Sequence, residues 1–176
     1  MGEWVEKGVS EGRYREVSRR DALEFKAEAA ANGLVSWVVN IQDGKGQVSC
    51  SCCACCCYSL RLVTEFACPS FIAPPHFIPS VDASSCTYCG KCAKACPMAA
   101  LIVDTKGKEH RRLPERCIGC GLCAVSCTQA KAVTMVPVPE YRQPPRNMFS
   151  LLARQAPGVI KTAWKVSRKY KNEARS

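Results

Sequence analysis

The chain has 176 residues, a net charge of +10 and fifteen cysteines, enough length for one domain or one small domain with appendages and for only a modest apolar core. Its longest apolar runs, such as LVSWVVNI at 34–41, fall far short of the roughly 20 residues that span a bilayer. The opening MGEWVEKGVS lacks the apolar heart of a secretory signal and places Glu6 where a myristoylation site wants Ser or Thr, so a soluble, cytoplasmic chain is expected. In that reducing compartment dense cysteine points to metal or redox chemistry and away from disulfides, and metal–thiolate bonds supply stability that a small core cannot.

The charge is uneven. Residues 1–80 hold eight basic against nine acidic side chains, residues 81–136 eight against four, and residues 137–176 nine against two. A basic protein invites comparison with nucleic-acid binders, yet none of their motifs occurs and the excess sits in one terminal segment; no nucleic-acid partner is expected.

In chain order, VSRRDALEFKAEAAANGL reads as a helix with Ser18 as N-cap, Asp21 in the capping-box position and Asn32-Gly33 as its stop. LVSWVVNI is rich in β-branched and aromatic residues, and QDGKGQ is a turn signal leading to VSC, so a hairpin is predicted there. It delivers the chain into CSCCACCC, six cysteines in eight positions at 50–57. Neighbours such as Cys52 and Cys53 project in different directions and do not suit disulfide geometry. YSLRLVTEFA continues as a short helix ending before Cys68-Pro69. PSFIAPPHFIPS, with four prolines in twelve residues, is predicted to hold no regular element.

Beyond it lies an internal repeat with a period of 31 residues: CTYCGKCAKACPMAALIV at 86–103 and CIGCGLCAVSCTQAKAVT at 117–134. Cys86, Cys89, Cys92 and Cys96 superimpose on Cys117, Cys120, Cys123 and Cys127, each run with the spacing C-x2-C-x2-C-x3-C. Three cysteines at two-residue intervals in a tight loop can each reach a different iron of one cubane, while the fourth, about a helical turn on, points to the opposite site. Gly90, Gly119 and Gly121 let the backbone curl close enough for amide N–H groups to face sulfur. A single zinc is more usually served by two separated C-x2-C pairs.

Residues 81–136 therefore resemble a bacterial two-cluster, 2[4Fe-4S] ferredoxin. The resemblance implies that cluster one takes Cys86, Cys89, Cys92 and Cys127, and that cluster two takes Cys117, Cys120, Cys123 and Cys96. Pro97 stands where the family has its proline after the fourth cysteine; Thr128 replaces it in the second run. FIPSVD before the first run and ALIVD after it fit the family's short strands. With about two negative charges on each oxidised cluster, the surplus of basic residues in this segment brings it near neutrality.

In that setting Cys50, Cys52, Cys53, Cys55, Cys56 and Cys57, with Cys68 as a further ligand, allow three readings: a third iron–sulfur cluster, a metallothionein-like site for zinc or copper(I), or a redox-active or incidental run. Were the segment helical, Cys53, Cys56 and Cys57 would share a face. His76 is a lesser candidate ligand near this cysteine knot, and Tyr88 and Ile118 are expected to shield sulfur from water.

The tail opens on the extended connector VPVPEYRQPP. It continues as an amphipathic segment with Leu152, Ala156, Val159, Ile160, Ala163, Trp164 and Tyr170 near one face and Lys161, Lys165, Arg168, Lys169 and Lys171 among them. Pro157 is expected to start a new helix. This basic face suits an acidic membrane surface, a partner, or packing on its own domain. The overall expectation is an α+β protein: an N-terminal helix, hairpin and cysteine-rich region (1–68), a proline-rich linker (69–80), a ferredoxin-like dicluster module (81–136) and a connector with a helical tail (137–176). No nucleotide loop, catalytic triad or carboxylate pair stands out, so single-electron transfer to or within a larger oxidoreductase is the expected function. The competing expectations are a metal-binding or metal-responsive protein working through the knot, and a redox subunit with an unusual third cluster.

Overall fold

The structure is a computed structural model that describes residues 3–39, 41–42 and 48–173, and it is α+β as expected. Helix α1 (Glu3–Ser10), which is not among the predicted elements, carries Glu3 and Glu6 in its first turn and Lys7 in its last, charges that suit the helix dipole. Trp4 and Tyr14 pack edge to face at 6.2 Å, and Tyr14 lies over Gly8, where any side chain would meet the ring.

Helix α2 (Arg19–Ala31) has the predicted capping box: the Asp21 amide donates to Ser18 Oγ at 3.1 Å and the Ser18 amide donates back to the Asp21 carboxylate at 3.4 Å. Gly33, at φ 77°, turns the chain out of the helix. Ser18→Ala should cost about 1 kcal/mol, read as a fall of a few degrees in the thermal midpoint.

Strands β1 (Val35–Trp37) and β2 (Cys50–Cys52) pair antiparallel with Val35 opposite Cys52 and Trp37 opposite Cys50. The predicted hairpin is therefore present, while its turn at 43–47 lies outside the described residues. Helix α3 (Tyr58–Thr64) follows the knot, and Arg61 makes a bidentate pair with Glu65 at 2.7 and 2.9 Å.

The proline-rich stretch is more ordered than its composition suggests. A 3-10 turn spans Pro69–Phe71, Ile72 is buried, and β3 (Phe77–Val81) begins inside the predicted linker. Pro79 is tolerated because β3 pairs with one neighbour only, so alternate amides have no ladder bond to lose.

Two hairpin-like sheets then frame the repeat. Strand β3 pairs with β6 (Val133–Pro137), and β4 (Leu101–Asp104) pairs with β5 (Glu109–Arg112). Each sheet joins the strand before one cysteine run to the strand after the other, which brings the two runs together about a pseudo-twofold. Short helices α4 (Lys91–Lys94) and α5 (Leu122–Ser126) start at Gly90 and Gly121, at φ 74° and 79°. The 31-residue register slips to 32 after the fourth cysteine. The left-handed residue is Ala99 in the first run and Lys131 in the second, and buried Ala100 and Leu101 match Ala132 and Val133. One extra residue therefore follows Cys127, where the second run lacks the proline.

Val35, Leu60, Val63, Ile72, Met98, Ala100 and Leu122 form one buried cluster. It draws side chains from the hairpin, α3, the proline-rich stretch and the repeat, so the cysteine-rich region and the repeat share a core.

Helix α6 (Met148–Glu173) runs through Pro157 without a break, which corrects the expected new start. The missing amide costs one helical bond. Compensation comes from tertiary contacts on both sides of it: Gln155 Nε2 donates to the Phe71 carbonyl at 2.7 Å, and Gly158, lacking a side chain, lies against Ser70. Asn147 Oδ1 accepts from the Ser150 amide at 3.0 Å at its N-terminus. The helix seats through Leu151, Gln155 and Gly158, not through its predicted apolar face; Leu152, Ile160 and Trp164 are exposed. The side chains of Lys169, Tyr170 and Lys171 lie outside the described residues. Among the described residues no helix is long and apolar enough to cross a membrane.

Candidate metal centres

The fold gathers the repeat cysteines in two sets of four. Cys86, Cys89, Cys92 and Cys127 line one small cavity, together with Tyr88, His110 and Val133. Cys96, Cys117, Cys120 and Cys123 line a second, with Ile118, Met98 and Leu101. Each set takes three cysteines from one run and the fourth from the other, because α4 and α5 pack against each other and exchange the ends of the runs. Tyr88 lines the first cavity and Ile118 the second.

Both sets have the chemistry a [4Fe-4S] cubane needs. All eight are free thiols. No three of their sulfurs lie within 4.8 Å of one another, a spread that suits ligands on separate irons and not on one small ion. Backbone amides already face sulfur: Tyr88 N–H donates to Cys86 Sγ at 3.4 Å and Ala100 N–H to Cys96 Sγ at 3.3 Å. Tyr88, at φ 53°, and Gly119, at φ 69°, occupy equivalent places in the two runs, and the left-handed turn there is what aims the loop amides inward. At Gly119 a Cβ would come 2.4 Å from the Phe77 carbonyl, so no other residue fits without moving β3.

The two sets differ in burial. Cys123 is buried and its thiol is pushed up to about 12 by desolvation; burial also raises Cys120 and, in the other set, Cys92. A buried thiol resists ionisation until a cation shares its site, so these positions favour metal-bound thiolate over free thiolate. Cys89 is exposed, and the Lys91 amide, the Thr87 hydroxyl and then the Lys91 charge draw its pKa down. Set one thus opens to the surface, while Cys96, Cys117 and Cys120 of set two pack against the shared core.

One residue escaped the sequence reading. His110 Nε2 lies 3.6 Å from Cys92 Sγ, and partial burial lowers the imidazole pKa, which favours the neutral ring. Its place is set by the β4–β5 register, in which His110 faces Val103; nothing in the local sequence signals it. In its Nε2–H tautomer the ring would donate to sulfur and favour the more negative, reduced state of a cluster held there. Were a cluster held by each set, His110→Phe should lower the potential at set one by about 40 mV, equivalent to about 1 kcal/mol for one electron, and leave set two unchanged in a potentiometric titration.

The knot is not helical, so Cys53, Cys56 and Cys57 do not share a helix face. Cys50–Cys52 belong to β2, residues 54–56 form a turn, and Cys57 is the N-cap of α3. The six cysteines sort into two groups. Cys53, Cys55 and Cys56 bring their sulfurs within 4.8 Å of one another, while the Cys52 thiol has Cys57 and Cys50 as hydrogen-bonding neighbours. Hydrogen bonds from Cys55 and Cys56 push Cys53 down to about 7, and the reciprocal effect pushes Cys56 up to about 12. Burial and the Cys57 thiol raise Cys52 to about 11. Cys68 is placed elsewhere, buried at the far end of α3 with its sulfur 3.5 Å from Ser70 Oγ. His76 stacks on Tyr141 at 3.8 Å and holds the connector against β3.

Residues 78–135 match the family model of the 4Fe-4S dicluster domain. The match covers about a third of the chain, runs from β3 to β6, and carries iron–sulfur electron transfer as the class of function. No curated protein matches the chain.

Proposed function

We propose that the chain binds two [4Fe-4S] clusters, one on Cys86, Cys89, Cys92 and Cys127 and one on Cys96, Cys117, Cys120 and Cys123, and relays single electrons to or within a larger oxidoreductase in the cytoplasm. The observation that carries this reading is the sorting of eight thiols into two four-cysteine cavities, each drawing on both runs. Bound clusters supply reversible one-electron chemistry; the chain supplies the rest. Tyr88, Met98, Ile118 and Leu101 limit water, the amides of Tyr88 and Ala100 donate to sulfur, the His110 ring lies beside Cys92 Sγ, and exposed Cys89 marks the side for electron entry and exit.

The partner meets α6. Phe149, Leu152, Ile160 and Trp164 form an exposed apolar stripe, 81%, 57%, 67% and 61% accessible, and Arg168 lies over the Trp164 ring at 4.7 Å. With nine basic and two acidic residues in 137–176, this face complements an acidic protein surface. Co-sedimentation with anionic phospholipid vesicles, abolished by Trp164→Glu, would assign it to a membrane instead.

Anaerobic reductive titration tests the electron-carrier reading. Uptake of about two electrons per chain, reversible on reoxidation, is expected for two clusters. Iron that is retained but takes up no electron reversibly would leave the clusters a structural role.

A further inference from the structure

We propose that Cys53, Cys55 and Cys56 form a separate site for one soft d10 cation, Zn2+ or Cu+, and not part of a third iron–sulfur cluster. The sulfurs converge: Cys53 to Cys55 is 2.6 Å, Cys53 to Cys56 2.8 Å, and Cys55 to Cys56 3.9 Å. A metal–sulfur bond of about 2.3 Å places the ligands of a single tetrahedral ion about 3.8 Å apart, the spacing of Cys55 and Cys56, so Cys53 must draw back from both neighbours to admit the ion. Thiolates of a cubane bind different irons and stand farther apart than that. The same chain provides the contrast, since no three of the eight repeat cysteines come as close.

The cup is held before any ion arrives. Strand β2 ends at Cys52, and the Cys57 amide donates to the Cys53 carbonyl at 3.2 Å, so a strand and a helix N-cap clamp the turn between them. Lys26 Nζ donates to the Cys50 carbonyl at 2.8 Å and to Ser51 Oγ at 3.1 Å, which ties α2 to the same strand. Arg61, whose guanidinium is paired with Glu65, also lies close enough to Cys56 for its charge to be felt there. Soft thiolate donors select copper(I) and zinc over harder ions.

Among the described residues no fourth Cys, His, Asp or Glu joins the trio, and Cys55 and Cys56 are exposed. A closed structural zinc site has four protein ligands; three with an open side suit an ion that is taken up and passed on, completed by water on Zn2+ or left three-coordinate on Cu+. Cys50, Cys52 and Cys57 sit apart, with Cys52 and Cys57 packed against the core.

The test uses full-length protein reconstituted anaerobically with iron and sulfide, then dialysed against Zn2+ or Cu+ in the presence of a chromophoric chelator. One additional ion per chain is expected with iron and sulfide unchanged, and X-ray absorption at the edge of that metal should show three sulfurs at about 2.3 Å. C53S/C55S/C56S should lose this ion while keeping its iron, which also reports that the fold survives. The arm that binds more tightly names the metal. Iron near twelve per chain in the parent and near eight in the variant would overturn the proposal in favour of a third cluster. So would an ion that the variant retains, failure to bind either metal, or four sulfurs around the bound ion. None of these outcomes touches the two-cluster reading, which depends on the other cysteines.

Discussion

Replacing Cys86, Cys89, Cys92 and Cys127 together by serine should leave about four irons and four sulfides per chain, whereas replacing Cys86, Cys89, Cys92 and Cys96 should leave no intact cluster. The two variants remove the same number of thiols and differ in one position. In the first, one cavity loses its whole lining of sulfur while Cys96, Cys117, Cys120 and Cys123 remain around the other. In the second, the surface cavity keeps Cys127 alone and the inner one is reduced to three thiols. Iron and sulfide analysis with EPR of the reduced proteins reads the difference. The reverse ranking, with the second variant keeping four irons, would mean that each run holds its own cluster.

Leu60→Ala should destabilise the whole protein by about 3 kcal/mol, within the range for emptying a buried leucine site, and lower the apparent thermal midpoint by about 10 °C. Leu60 is fully buried, and the cluster it fills joins Val35 of the hairpin to Met98 and Leu122 of the repeat. The consequence goes beyond magnitude. With one shared core, loss of the iron–sulfur absorbance and loss of helical circular dichroism should move down in temperature together. If the visible absorbance kept its midpoint while the circular dichroism shifted, the N-terminal region would be folding independently.

The parts legible in the sequence are those whose cause is local. A capping box needs Ser18 and Asp21 three residues apart, and a cluster loop needs cysteines at fixed short intervals, so both can be read from spacing. The β1–β2 hairpin followed from β-branched runs flanking a turn signal. Other features depend on what meets what in space. His110 reaches Cys92 only because of strand register, and the shared core appears only once α3 and Ile72 are placed beside Met98. Pro157 misled because a proline's cost is local while its compensation at Ser70 and Phe71 is not. The knot shows both sides: its density raised metal binding among three readings, but the division between the Cys53, Cys55 and Cys56 trio and the Cys50, Cys52 and Cys57 group depends on where β2 stops and α3 begins.

Quantitative iron and acid-labile sulfide analysis of the anaerobically purified 176-residue chain decides whether the repeat holds two four-iron clusters. About eight of each per chain is the result expected. Zinc without sulfide, or iron and sulfide near four, would contradict it.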